Sequence, residues 1–261
     1  MIKLNYRNEI DGLRAIAILG VILYHAEFFF LDNKIFTGGY IGVDIFFVIS
    51  GYLITSIIFK ELKTTQNFSL KNFFFRRAKR ILPALFFMIF ASIFFAWIYL
   101  TPKNFLEYSN SIISSIFFYS NYFFYFQDLI YNSEDSLLKP LLHTWSLAVE
   151  EQFYIIFPIV IIFSYNIIKN NLIKYFLIFI ILFFSLSLGF TILNSALSFF
   201  ASFSRFWEIL IGSLLAVLEL ENRKLRFKFS YLMPYVGLLL ILLSLVIFDK
   251  KTFHPSYLTL I

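Results

Sequence analysis

The run Arg14-Ala15-Ile16-Ala17-Ile18-Leu19-Gly20-Val21-Ile22-Leu23-Tyr24-His25 decides how this chain folds. Ten uncharged residues separate an arginine from a histidine. Eleven positions are about three helical turns with roughly 20° of drift, so the two side chains leave one face, about 16 Å apart along the axis. The apolar character continues to Leu31 and predicts a first membrane span over Ala15–Leu31, with Arg14 at the membrane edge and His25 near mid-bilayer. An ionisable group at that depth has to face a protein interior or a wet cavity, and it marks a functional site by default.

Composition agrees with a membrane protein. Of 261 residues 60% are hydrophobic and 38 are Phe, with a mean hydropathy of +0.79, far more oil than a soluble domain uses. Cysteine is absent, which excludes disulfides, thiolate metal sites and cysteine nucleophiles, and no metal centre is assigned. The net charge of +6 sits in short segments between apolar runs, where it reads as a topology signal and not as a nucleic-acid surface.

Runs long enough to cross about 30 Å of hydrocarbon lie at Ala15–Leu31, Tyr40–Phe59, Ile81–Leu100, Trp145–Phe163, Leu172–Leu193, Ser204–Leu220 and Tyr231–Phe248. The predicted fold is therefore all-α, a polytopic transmembrane helix bundle of about seven full spans. The basic loop from Lys60 to Arg80 and the basic loop Glu221–Lys228 are both placed in the cytoplasm, as is the N-terminus. Counting from each toward the acidic segment Asp128–His143 places that segment outside, which requires Ser111–Phe126 not to cross. That serine-rich stretch is expected to be re-entrant or interfacial. No repeat or linker divides residues 1–261, which read as one domain. A new apolar segment opens at Tyr257–Ile261, so a truncated chain is expected.

Polar residues inside these runs form the candidate sites. Asp11, Arg14 and His25 make one stripe, with Asp11 and Arg14 paired at i, i+3. Arg14 also reads as a positive-inside anchor, and His25 as a structural histidine bonded to a carbonyl. As a neutral imidazole, however, His25 can accept a proton where lysine or arginine cannot. Asp44 opens the second span and needs a histidine or arginine partner on another helix. Gly42 and Gly51 allow close helix approach. Arg77 and Arg80, i, i+3 neighbours at a predicted helix start, suit a phosphate clamp or an anionic-lipid contact. In His143-Thr144-Trp145-Ser146-Leu147-Ala148-Val149-Glu150-Glu151-Gln152-Phe153-Tyr154, residues His143, Ser146, Glu150 and Tyr154 share one helical face while Glu151 points about 100° away. Glu150 is thus favoured to orient or protonate a histidine; the bland alternative is a salt bridge to Arg205. Arg205 and Glu208 read as a self-neutralising pair. His254 has no patterned neighbours and is assigned nothing.

Five ordered blocks resemble the membrane acyltransferase 3 family, in its O-antigen and cell-envelope polysaccharide acetylase branch. They are Glu9-Ile10-Asp11-Gly12-Leu13-Arg14 ahead of His25, Gly42-Val43-Asp44 through Ile54, Phe75-Arg76-Arg77-Ala78-Lys79-Arg80-Ile81-Leu82-Pro83, Leu142 through Tyr154, and Arg205-Phe206-Trp207-Glu208. The resemblance implies transfer of an acyl group, usually acetyl, from cytoplasmic acyl-coenzyme A to a hydroxyl of an extracytoplasmic glycan or glycolipid such as lipopolysaccharide O-antigen. Acetyl-coenzyme A would be a donor substrate and not a resident cofactor. His25 would be the essential histidine, with Glu150 beside it in catalysis. Arg14, Arg77 and Arg80 would be the donor-side residues, and Asp11, Asp44, His143, Trp145, Ser146, Glu151, Tyr154, Arg205 and Glu208 would support them or bind substrate. Location in the inner membrane follows from the same resemblance, as does a usual complement of about ten spans followed by an SGNH-type domain. The competing reading is a proton-coupled transporter or flippase that uses His25, Asp44 and Glu150 as a relay.

Overall fold

Helices account for nearly all regular structure in the computed structural model, which describes residues 7–26, 28–30, 33–129, 138–221, 231–249, 252 and 254–260. They are α1 (Asn8–His25), α2 (Gly42–Thr65), α3 (Leu70–Tyr99), α4 (Pro102–Ile116), α5 (Ser120–Asp128), α6 (Thr144–Ile168), α7 (Leu172–Leu193), α8 (Ser195–Phe200), α9 (Ser202–Leu220) and α10 (Met233–Ile247). A 3-10 turn, Gly39–Ile41, leads into α2, and Phe29–Phe30 pairs antiparallel with Asn33–Lys34 in a two-residue ladder.

Among the described residues, four stretches are long and apolar enough to cross a membrane: Gly39–Thr65, Leu70–Tyr99, Thr144–Ile168 and Leu172–Leu193. Helices stand at the other three expected places but miss that measure. The 18-residue α1 carries Glu9, Asp11 and Arg14, the 19-residue α9 carries Arg205, Glu208 and Glu219, and α10 has 15 residues, or about 22 Å. The expected span Ala15–Leu31 is corrected: α1 begins at Asn8 and stops at His25, ahead of the ladder, so His25 closes a helix where mid-bilayer depth was expected. The expected Lys60–Arg80 loop is also corrected. Its basic residues extend α2 and α3, leaving only residues 66–69 between them, and Ser69 caps α3 by accepting the Asn72 amide at 3.3 Å. Lysine and arginine are good helix formers, so helices run on past the point where apolar character ends. The Glu221–Lys228 loop, apart from Glu221, lies outside the described residues.

The chain packs as two units: residues 1–64, 166–199 and 203–261, and residues 65–165 and 200–202. In the first, glycine lets backbones touch. A Cβ at Gly51 would lie 1.8 Å from the Ile209 carbonyl oxygen, and one at Gly212 would lie 1.9 Å from that of Val48. The helices α2 and α9 cross there and run in the same direction, with Asp44 beside Arg205, Tyr52 bonded to Glu219, and Lys63 donating to the Leu220 carbonyl at 2.9 Å. Helix α1 runs against α2, since Arg7 donates to Tyr52 at 2.7 Å and Gly39 and Gly42 lie against Gly20 and Ala17.

In the second unit α3 and α6 are antiparallel: Arg77 meets Tyr154, whereas Ala84 and Met88 share a cavity with His143 and Leu147. Helix α4 folds back along α3 through a Tyr108–Ser92 hydroxyl contact of 2.7 Å, and α5 reverses again so that Gln127 donates to Glu107 at 3.2 Å. Neither α4 nor α5, with 15 and 9 residues, can cross 30 Å. The buried stripe of α4 is Asn104, Tyr108, Ser111 and Ser115, while Leu106, Ile113 and Phe117 face outward. That is the reverse of a water-soluble amphipathic helix and fits an apolar surround.

At the hairpin tip Gln152 of α6 donates to the Phe118 carbonyl at 2.8 Å and to Asn121 Oδ1 at 3.0 Å. Asn121 donates in turn to the Phe200 carbonyl at 3.0 Å and to Ser202 Oγ at 3.1 Å, and Ser202 donates to Gln152. With no water inside a bilayer, such a turn needs these partners from the protein.

Candidate active site

The first unit gathers its chemistry at one end, where α1 finishes and α2 and α9 begin. Arg205, 1% exposed, projects from the start of α9, and its Nη1 meets Asp44 Oδ1 at 3.2 Å, Glu208 Oε1 at 2.9 Å and His254 Nε2 at 2.9 Å. Its Nε donates to the Phe199 carbonyl at 3.2 Å. His254 Nε2 is also 3.4 Å from Asp44 Oδ2, and its Nδ1 is 3.4 Å from the Thr259 hydroxyl. Asp44 Oδ2 and Glu208 Oε2 are buried and have no hydrogen-bond partner among the described residues. Burial pushes the His254 imidazole below its ordinary value, Asp44 opposing this and Arg205 adding to it, so the ring is favoured as neutral. Asp44 thus finds both of its expected partner types, but its histidine is His254, which spacing could not reveal because the contact closes across more than two hundred residues.

Ring contacts lead from this cluster to His25. Tyr40 lies edge-on to His254 with centroids 4.8 Å apart, Tyr24 lies 6.0 Å from Tyr40, and Tyr24 is 5.1 Å from His25. His25 itself is exposed, which corrects the expected burial within the span. Lys34 Nζ stands 5.0 Å over the Tyr24 ring. Lower on α1, Arg14 pairs with Asp11 at 2.9 Å, as i, i+3 spacing allows.

The second unit holds the arginine pair. Arg77 lies 4.6 Å over the Tyr154 ring and 5.9 Å from Phe73, and Tyr154 donates to Glu150 at 2.7 Å. Arg77 is within electrostatic reach of both Glu150 and Glu151. Glu151 was expected to point away from the site. It is instead buried, within electrostatic reach of the same guanidinium. Arg205 is committed within the first unit to Asp44, Glu208 and His254, so the Glu150–Arg205 salt bridge considered from sequence is replaced by a link to Tyr154. Arg77 and Arg80 lie two turns and more inside α3, so the helix-terminus argument for anion binding does not reach them.

Arg80 is exposed on the rim of a cavity of about 360 Å³ lined by Ile81, Ala84, Leu85 and Met88 of α3 and by His143, Thr144 and Leu147. His143 precedes the first turn of α6, where Ser146 Oγ donates to its carbonyl at 3.3 Å. Trp145 is buried edge-on to Phe200 at 5.7 Å. An apolar cavity with an arginine and a histidine at its rim can take an apolar chain that ends in an anion. Gln152 and Asn121, which hold the hairpin, carried no sequence signal beyond their polarity inside an apolar run.

The chain belongs to the acyltransferase 3 family: the family's profile, described as an acyltransferase domain, matches residues 7–261. A Staphylococcus aureus (strain NCTC 8325 / PS 47) protein named O-acetyltransferase OatA is 38% identical over 216 residues, 81% of this chain and 34% of that protein. A further S. aureus protein (strain MSSA476), given an O-acetyltransferase name, SAS0844, is 44% identical over 169 residues, 65% of this chain and 27% of that protein. The matches therefore span about a third or less of the length of these relatives. No solved structure matches the chain.

Proposed function

We propose that this chain catalyses O-acyl transfer in a membrane, moving an acyl group, acetyl in the first instance, from cytoplasmic acyl-coenzyme A to a hydroxyl of an extracytoplasmic glycan such as lipopolysaccharide O-antigen. The observation that carries the reading is the family match across residues 7–261, together with relatives named as O-acetyltransferases. Arg80, with Arg77 behind it, faces the donor's phosphates, and the apolar cavity takes the chain that leads to the thioester. Tyr154, held by Glu150, fixes the Arg77 guanidinium from below. His25 takes the proton of the acceptor hydroxyl as that oxygen attacks the thioester carbonyl; the carbon–sulfur bond breaks and the leaving thiolate receives the proton. In the alternative order His25 attacks the thioester first, the carbon–sulfur bond breaks and coenzyme A leaves as its thiol with the imidazole's proton; the acceptor hydroxyl then attacks the acyl-imidazole, the carbon–nitrogen bond breaks and the imidazole recovers a proton from that hydroxyl. Arg14, tied to Asp11, supplies positive charge on the same helix face. The cytoplasmic N-terminus and inner-membrane location complete the reading and rest on the basic ends of α2 and α3.

Membranes carrying the protein and incubated with labelled acetyl-coenzyme A should pass label to a glycan, and His25→Ala should abolish this at normal protein abundance. Undiminished labelling in His25→Ala removes that residue from the mechanism. One observation favours transport instead, namely the buried carboxylates and imidazole around Arg205. Ion-driven uptake without transfer of label would select that reading.

A further inference from the structure

We propose that the outward face of α3 binds the headgroup of an anionic phospholipid through Lys79 and Arg76. Arg76, Arg77, Lys79 and Arg80 crowd one short stretch of this helix, and its geometry divides them. Arg77 turns inward to Tyr154, and Arg80 stands at the cavity rim. At about 100° per residue, Arg76 and Lys79 fall instead within one arc of about 80° that also holds Phe86, Phe90, Phe94 and Trp97. All six are exposed, whereas Phe73, Leu85, Ile89 and Ala96, on the other side of the helix, are buried. An exposed aromatic column on a helix long and apolar enough to cross a membrane is a lipid-facing surface. Lys79 and Arg76 close that column at its start.

Depth fits a headgroup. From Lys79 to Trp97 the helix rises about 27 Å, and from Arg76 about 32 Å, which brackets the thickness of the hydrocarbon core. With Trp97 at one interface, where an indole is favoured, the two cations stand at the phosphate level of the other. Lys79 Nζ lies 4.5 Å over the Phe75 ring, one turn nearer the start of α3. The ammonium is thus drawn away from the aromatic column, as a lysine snorkelling out of hydrocarbon would be. Charge selects the kind of lipid. Helix α3 itself carries no acidic residue, and an anionic headgroup brings a net counter-charge that a zwitterionic one cancels with its own ammonium. The site uses neither Arg77 nor Arg80, so it stands whatever reaction the protein catalyses.

Native mass spectrometry of the full chain, released from nanodiscs of equal parts phosphatidylcholine and phosphatidylglycerol, tests this without donor or acceptor. Wild type should retain phosphatidylglycerol in preference. Lys79→Gln should lower that preference about fivefold, and Arg76→Gln with Lys79→Gln about twenty-fivefold, since each basic residue near an anionic surface contributes about one factor of five. Arg76→Lys with Lys79→Arg keeps both charges and should keep the preference. So should Lys103→Gln, which removes one exposed charge just beyond the far end of α3. Equal retention of the two lipids by wild type, an undiminished preference in the double glutamine variant, or an equal loss in Lys103→Gln overturns the proposal. Both side chains are exposed, so every variant should show the circular dichroism of wild type; a double glutamine variant that loses its helices assigns these residues to the fold and overturns it too.

Discussion

Arginine is used in opposite ways by the two units. In the first, Arg205 is 1% exposed and its Nη1 is shared among two carboxylates and an imidazole. In the second, Arg80 is exposed on the rim of an apolar cavity, and Arg77 is stacked on an aromatic ring within reach of Glu150 and Glu151. A permanent charge sealed among its own counter-charges is a structural commitment, since removing a partner strands the rest. A guanidinium at an open rim keeps donors for a ligand. The arginine pair of α3, and not the arginine of α9, is accordingly the place to look for donor recognition.

Substitutions can break that contrast, beginning with the largest effect. Arg205→Ala should destabilise the protein by about 3–5 kcal/mol, because Asp44 and Glu208 lose their common cation inside the unit; thermal unfolding in detergent measures it. Gly51→Leu follows. With a carbonyl oxygen 1.8 Å from its Cβ position, the side chain has to push α9 off α2, at a cost of about 1–3 kcal/mol, and the same assay should show it. Gln152→Ala in the second unit should cost roughly 1–2 kcal/mol by leaving the Phe118 carbonyl and Asn121 unpaired. Protease sensitivity near residues 117–119 would report the loosened turn.

Acidity offers a gentler test of the first unit. His254 is held below its ordinary value, so the unfolded chain takes up a proton first as the pH drops. The stability this contributes is present above the unfolded histidine value, near 6.5, and is lost as pH falls toward the folded one. Wild type should lose midpoint temperature on acidification below about 6.5 more steeply than His254→Gln; parallel curves would show that the imidazole is not buried neutral. Arg80→Ala is expected to move stability least, leaving the midpoint unchanged while raising the KM for acyl-coenzyme A by about tenfold, the worth of one charge-assisted contact. A fall in stability with unaltered KM would make Arg80 the structural arginine and invert the comparison.

How legible these features were depended on whether sequence neighbours or distant segments made them. The apolar run Leu172–Leu193, with Lys174 its single charge, announced α7 with its observed bounds, because hydrocarbon thickness alone sets such a helix. The start of α3 was hidden: a rule that opens a span where charges end cannot see a helix that begins at a Ser69 cap among lysines and arginines. Asp44 announced its need of a cation, since a lone carboxylate in an apolar run has no other way to be stable. His254 stayed invisible because its partners come from α2 and α9 and no local pattern records the meeting. Glu150 and Glu151 were separated by helical angle, yet both lie within electrostatic reach of Arg77, a residue on another helix that local spacing could not bring in. Serines 111, 114 and 115 hinted that their segment was no ordinary span. Their burial on one face of α4, with Leu106 and Ile113 outward, supplies the reason.

The latch at Gln152 also sets a timetable. Phe118 and Asn121 leave the ribosome well before Gln152, and Ser202 follows some fifty residues after that. Until the later residues have been synthesised, the hairpin lacks most of its polar anchors. Biogenesis of the second unit must therefore wait for α9 to begin emerging, and an insertion factor that shelters a half-buried helical pair from lipid has its task defined by that delay.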